Sequence, residues 1–473
     1  MVFSSLQFLF FFLPVTLGLY FVVTGRLRNV VLLAASLLFY VWGGGMLVLV
    51  LLASIAVDYG LGFWVDRARR LGRTGARNAG IAASVVVNVG LLVWFKYADF
   101  FIDQYNLITP LDPVWIPRIV LPIGISFYTF QSMSYTIDVA RGHAPHLRNP
   151  LDFALYVALF PQLVAGPIVR YREIAAELRR RSSRLEDVSA GMVRFAHGLV
   201  KKVVVADTVA VIADAAFGAG DGTLTAGAAW LGVLAYTIQI YFDFSGYSDM
   251  AIGLGLILGF HFPENFDRPY SAVSVTDFWR RWHITLSRWF RDYVYIPLGG
   301  SRGGRRTTYG ALLTVFLLTG LWHGAAWTFV AWGLYHGALL VVERVTGQRA
   351  LDGEVRRVPL RRAAVFLAVV LGWVLFRADD LGHAGEVYAA MFSFDWGLTP
   401  EVAAVLTRRN LITLAAALAV VLLPRGFSGA DLLVSRRGLR PALARAAVLL
   451  VALPYAGMLV AGGTFSPFLY FRF

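Results

Sequence analysis

The chain has 473 residues, of which 58% are hydrophobic and only 15% charged, and its mean hydropathy is +0.64. A soluble domain carries about a quarter charged residues, so no single water-facing fold absorbs this much apolar surface and lipid must solvate much of it. The net charge of +14 would suggest nucleic acid in a soluble protein; here it fits basic loops against anionic headgroups, and no nucleic-acid partner is expected.

The absence of cysteine excludes disulfides, thiolate metal sites and a Cys nucleophile. A covalent acyl-enzyme would have to use Ser, Thr, His or a carboxylate. The opening stretch MVFSSLQFLFFFLPVTLGLYFVV has no basic n-region and no small-residue cleavage site, so it reads as a first transmembrane helix and not as a leader. Apolar stretches then recur at Val30–Val41, Met46–Trp64, Gly80–Trp94, Ile119–Val139, Phe153–Val169 and Val193–Phe217. They continue through Ala226–Phe242, Ala251–Phe262, Tyr309–Trp322, Ala325–Val342, Ala363–Phe376, Leu411–Leu423 and Ala446–Val460. Several fall short of the roughly 20 residues that cross a bilayer, and some should be re-entrant or covered by neighbours. The expectation is an all-α, polytopic membrane protein with about a dozen transmembrane or re-entrant helices. With no internal repeat and no long linker, one domain is expected. Its parts are N-terminal helices at 1–118, a core at 119–345 and C-terminal helices at 346–473.

Basic clusters at Arg67–Arg77, Arg170–Arg184, Arg302–Arg306, Arg344–Arg362 and Arg436–Arg440 mark the cytoplasmic side, and the more acidic, aromatic Asp99–Pro117 is placed outside. The residues between Arg306 and Arg344 are almost wholly apolar and would rise about 55 Å as one helix, against a core of roughly 30 Å. A hairpin with both basic ends in the cytoplasm satisfies length and charge together, and its turn falls at Gly320-Leu321-Trp322-His323-Gly324. His323 then lies about 25 Å of helix from Arg306, deep in the membrane. It has two readings there. It is a neutral structural histidine bonded between helices, or it is a general base that burial keeps neutral and able to accept a hydroxyl proton. The flanking glycines suit a substrate tunnel or tight helix packing equally.

The stretch Asp277–Gly300 (DFWRRWHITLSRWFRDYVYIPLGG) alternates Arg280, Arg281, Arg288 and Arg291 with tryptophans, and it contains His283. It reads as an interfacial amphipathic helix or a re-entrant segment, and equally as an arginine-rich mouth for a phosphorylated acyl donor. His336 lies 13 residues from His323 and would turn about 220° away on one continuous helix. Asp243 and Asp249 could line an acceptor cavity, but bracing of helices through Ser245, Tyr247 and arginines is the simpler reading. Glu264, Asn265, Asp267 and Arg268 read as a charged re-entrant corner. His143 and His146 fall in a basic loop; with His197, His261 and His383 lacking companions at ligand spacing, no metal site is expected.

The segment FWRRWHITLSRWFRDYVYIPLGG, followed 40 positions after His283 by GLWHGAAWTFVAWGLYHG, resembles the membrane-bound O-acyltransferase (MBOAT) family. Within it the chain is most similar to the bacterial alginate O-acetylation branch. GISFYTFQSMSYTIDVARG, FPQLVAGPIVRY, YFDFSGYSDMAIGLGLILGFHFPENFDRPY and the ending FLYFRF extend the likeness from the first helix to the C-terminus. The resemblance implies a multi-pass enzyme of the bacterial inner membrane. It would pass an acyl group, acetyl first among candidates, from a cytoplasmic thioester to an extracytoplasmic hydroxyl. The acceptor would be a polysaccharide, reached directly or through an extracytoplasmic acetyltransferase partner protein. It implies acetyl-CoA or another acyl thioester as donor substrate, with no tightly bound cofactor. The family's catalytic histidine maps onto His323 and its second motif histidine onto His283.

Together these lines give a tunnel with a donor mouth near His283, where Arg281 and Arg288 would hold the donor, and an acceptor mouth above His323. His283 would orient the donor, stabilise the oxyanion or hold the fold. A D-alanyl-type transferase using a carrier-protein thioester, a transporter or flippase for glycan or lipid-linked sugar, and a scaffold for a secreted partner are the competing functions.

Overall fold

The computed structural model describes residues 2–109, 114–115, 117–220, 222–347, 358–423, 433, 438–463 and 469. Arg436 and Arg437, part of Arg344–Arg362 and the FLYFRF ending apart from Leu469 lie outside the described residues. Regular structure among the described residues is helical throughout. Among the described residues, four helical stretches are long and apolar enough to cross a membrane: Leu27–Arg70, Thr74–Ile108, Val358–Arg377 and Leu439–Ala461. The protein is an all-α membrane protein.

Contacts group the chain into two compact units, residues 1–192 with 250–263, and residues 193–249 with 264–473. The first contains the helices Leu27–Gly44, Val48–Arg70, Thr74–Ile108 and Ile125–Arg141. Leu27–Gly44 and Val48–Arg70 are parted only by a turn at Gly45, whose φ of 54° suits a residue without a side chain. Asp58, fully buried, accepts hydrogen bonds from Ser84 Oγ at 2.9 Å and Asn88 Nδ2 at 2.9 Å, tying two of these apolar helices by a polar clasp. Helix Ile125–Arg141 starts later than the apolar run beginning at Ile119, because Gly124 takes a φ of 74° that ends the preceding chain. Helix Thr74–Ile108 runs through the first ten residues of the stretch from Asp99, which hold no breaker before Pro110.

The second unit holds a network of ion pairs around Asp243 and Asp249. Asp249 receives Arg194 at 2.6 Å, Lys201 at 2.9 Å and His197 at 3.3 Å, while Arg194 also reaches Glu264. Lys202, buried, bridges Asp207 at 2.6 Å and Asp243 at 2.8 Å. A π-helical stretch, Lys201–Ala206, follows helix Leu185–Val200 and sends these adjacent lysines to separate carboxylates. Gly246 allows the approach, since a Cβ there would sit 2.8 Å from Gly198 O. Asp243 and Asp249 therefore brace helices, through Arg194 and two lysines where Ser245, Tyr247 and arginines are the expected partners.

Candidate active site

Helix Gly304–His323 ends where Gly324 becomes extended, and the chain re-enters a helix at Trp327–Val345. The helices cross at glycines: a Cβ on Gly320 would lie 2.2 Å from Phe329 O, and one on Gly333 would lie 2.4 Å from Phe316 O. These glycines serve close backbone packing. The turn puts His323 at the tip of the hairpin, 4% exposed among aromatic rings. Trp322 lies 4.9 Å away, Phe376 5.0 Å and Trp332 5.1 Å, all edge-on.

His336 is brought back by the same turn. Its ring lies 5.1 Å from Trp332, which also packs on His323, and 5.0 Å from Trp279. The 220° separation applies to a continuous helix; here the two histidines sit on different helices and share one indole. Gly372 makes the room, since a Cβ there would meet His336 Nε2 at 2.7 Å.

The arginine-rich stretch is not one amphipathic helix. It divides into Val275–Trp279, Ile284–Phe290 and the π-helical Arg291–Tyr295. The break falls on His283, whose φ of 44° is uncommon for any residue but glycine and signals a backbone fixed by its surroundings. Trp279, Trp282, Trp289 and Phe290 are buried in protein, not laid against lipid. Glu343, near the end of the hairpin's second helix, accepts the backbone N–H groups of Val275 at 2.6 Å and Thr276 at 3.1 Å, pinning the segment to the hairpin.

His283 is 1% exposed, 4.7 Å from the Phe244 ring and 6.0 Å from Trp322. Its Nδ1 lies 3.1 Å from Asn265 Oδ1, which also accepts Thr285 Oγ1 at 2.9 Å and Thr285 N at 3.3 Å. Asn265 Nδ2 donates to Ser248 Oγ at 3.1 Å, which fixes the amide orientation. The acceptor at Oδ1 makes Nδ1 the protonated nitrogen and leaves the lone pair on Nε2. Asn265, read from sequence as part of a charged corner, is the residue that sets this ring; among charged neighbours an amide gives no sign of that role.

A cavity of about 550 Å³ opens beside these residues. Arg280, Arg288, Arg291 and Arg344 line it together with Trp279, Ile284, Leu312, Val315 and Leu340. Arg291 is paired with Asp292; among the described residues Arg280, Arg288 and Arg344 have no carboxylate partner. Of the two arginines singled out for donor binding, Arg288 lines the cavity. Arg281 lies off it, held by Asp277 at 2.7 Å and Asp267 at 3.0 Å. Trp279 joins the two halves of the site, forming cavity wall on one side and packing on His336 and Trp332 on the other.

Residues 83–352 match the model of the membrane-bound O-acyltransferase family, MBOAT. The chain belongs to this family. It is 45% identical to a probable alginate O-acetylase of Azotobacter vinelandii, over all of both chains. It is 37% identical to a peptidoglycan O-acetyltransferase of Helicobacter pylori, over 83% of this chain and 80% of that one. Similarity at 28% extends over 55% of the chain to a teichoic acid D-alanyltransferase of Bacillus subtilis, covering 70% of it. The chain is thus an O-acyltransferase of the MBOAT family, and the transporter and scaffold readings are set aside.

Proposed function

We propose that this MBOAT protein of the bacterial inner membrane transfers an acetyl group from a cytoplasmic thioester to hydroxyl groups of an extracytoplasmic polysaccharide, directly or through a partner acetyltransferase. The two relatives most alike among those above act, by their names, as O-acetylating enzymes of alginate and peptidoglycan, which supports acetyl over D-alanyl. The observation that carries the reading is the continuity from the arginine-lined cavity through Trp279, His336 and Trp332 to His323.

In this reading the arginines at the cavity rim hold the donor's phosphates, with Arg288 as the principal one, and its apolar wall accepts the thioester arm. His323 takes the proton of the acceptor hydroxyl as that oxygen bonds to the thioester carbonyl carbon. Collapse of the tetrahedral adduct breaks the C–S bond, and the proton passes from His323 to the departing sulfur. Holding donor and acceptor on either side of a fixed imidazole supplies the proximity part of the rate. His283, with its lone pair on Nε2, is suited to accept a hydrogen bond from donor or acceptor, and less to donate one to an oxyanion. We therefore assign it a positioning role.

The test is acyl transfer by purified protein in vesicles, with labelled acetyl thioester on one side and acceptor glycan or partner on the other. Label on the acceptor supports the reading. Hydrolysis of donor with no acylated acceptor, or transfer of D-alanine from a carrier protein in place of acetyl, contradicts it.

A further inference from the structure

The first unit contains a second cavity, of about 690 Å³, walled by the turn at 25–29, the loop 145–152 and the segment 178–181. Among the described residues six arginines line it, Arg26, Arg28, Arg148, Arg179, Arg180 and Arg181, against a single carboxylate, Asp152. That carboxylate accepts from Asn29 Nδ2 at 2.7 Å, and among the described residues none of the six arginines has a carboxylate partner. Like charges gathered this closely repel one another, and an anion that binds among them relieves the repulsion.

Arg181 lines this cavity and is held in place. Its Nε donates to Tyr20 OH and Leu258 O, both at 3.1 Å, its Nη1 donates to Asn29 Oδ1 at 2.6 Å, and its guanidinium lies 4.4 Å from the Phe260 ring centroid. Its Nη2 is buried with no hydrogen-bond acceptor. A guanidinium held in place by three acceptors, with five more arginines lining the same cavity, has the chemistry that recognises a phosphate oxyanion. The rim is amphiphilic as well. Arg26 and Arg28 flank Leu27, the first residue of a membrane-crossing stretch, and Val22, Leu27 and Leu151 are exposed apolar side chains beside it.

We propose that this cavity binds the phosphate of an anionic phospholipid headgroup, with the acyl chains lying along the exposed apolar flank of the first helices. Phosphate is the shared chemistry; the exposed apolar rim favours a lipid over free phosphate as its source.

The experiment uses delipidated full-length protein in detergent, titrated with phosphatidylglycerol, phosphatidylcholine or inorganic phosphate while thermal stability and retained lipid are followed. The triple variant Arg26→Gln, Arg148→Gln, Arg180→Gln is run beside wild type, because these three side chains are exposed and their loss leaves packing intact. Phosphatidylglycerol should stabilise wild type more than phosphatidylcholine does. The triple variant should bind it roughly two orders of magnitude more weakly, with unchanged melting in phosphatidylcholine. Equal stabilisation of wild type by the two lipids, or an undiminished phosphatidylglycerol gain in the variant, overturns the proposal. Inorganic phosphate that reproduces the whole gain, with none added by the lipid, overturns the lipid assignment and leaves a soluble-phosphate site.

Discussion

His323 meets Trp332 edge to face, with ring centroids 5.1 Å apart and planes at 88°. Trp332 is fully buried and contacts Trp279, which walls the arginine-lined cavity. The proposed base is therefore held by rigid aromatic packing, with its ring set by neighbours on both helices of the hairpin and on Val358–Arg377. Rotamer-locked rings of this kind pre-organise a site before any substrate arrives.

The two arginines singled out from sequence should behave differently. Arg288→Gln removes a guanidinium from the cavity and should raise the KM for the thioester donor by about 5–50-fold with a smaller effect on kcat, as loss of ground-state binding does. Arg281→Gln breaks two ion pairs and should lower thermal stability while leaving donor KM close to wild type. Steady-state kinetics in proteoliposomes checks both; equal KM shifts in the two variants would contradict the division.

Asn265→Ala strands the Thr285 donors and unlocks His283. A loss of roughly 1–3 kcal/mol in stability is expected from the buried donors. A fall of roughly 10–100-fold in turnover is expected from the misplaced ring. Asn265→Asp retains the oxygen acceptor and should recover much of the turnover. If Asn265→Asp is as inactive as Asn265→Ala, orientation through this oxygen is not what Asn265 supplies.

Gly333→Ala places a Cβ 2.4 Å from a backbone oxygen that has nowhere to go, so the hairpin must part. The variant should lose about 1–3 kcal/mol or fail to assemble. Gly310→Ala, where a Cβ meets nothing within 4 Å on the same hairpin, should be neutral or slightly stabilising. Thermal denaturation in detergent compares the two.

The hairpin reading also fixes a topology. Single cysteines at Ser301 and Thr346, both exposed, introduced into this cysteine-free chain should react with an impermeant thiol reagent only from the cytoplasmic face. Labelling of either from outside would remove the basis for placing His323 deep in the membrane.

Length and charge made the membrane class and the turn near Gly320–Gly324 legible, because 37 largely apolar residues between two arginine clusters have few ways to fold. The bracing role of Asp243 and Asp249 was also readable, since carboxylates among apolar helices need partners. What escaped depends on contacts distant in sequence. Asn265 finds His283 only because the chain between them turns back, and no local pattern announces a left-handed histidine at 283. His336 was discounted by a helical-wheel argument that assumed an unbroken helix. The aromatic rings of the arginine-rich stretch look interfacial by composition but are buried against Phe244, Phe316 and Trp373, which sequence spacing does not reveal. Arg281 and Arg288 are alike in sequence and separate only when Asp267 and Asp277 are seen to claim one of them.

The most direct measurement is labelled acetyl transfer by His323→Ala, made in vesicles with protein yield and monodispersity recorded beside it. A hydroxyl nucleophile needs a proton acceptor at neutral pH, and general-base catalysis supplies about 10²–10⁴-fold. The account predicts a folded, monodisperse protein whose transfer falls by at least that factor, while donor binding at the arginine-lined cavity stays intact. A folded His323→Ala protein that transfers acetyl at near wild-type rate would contradict it.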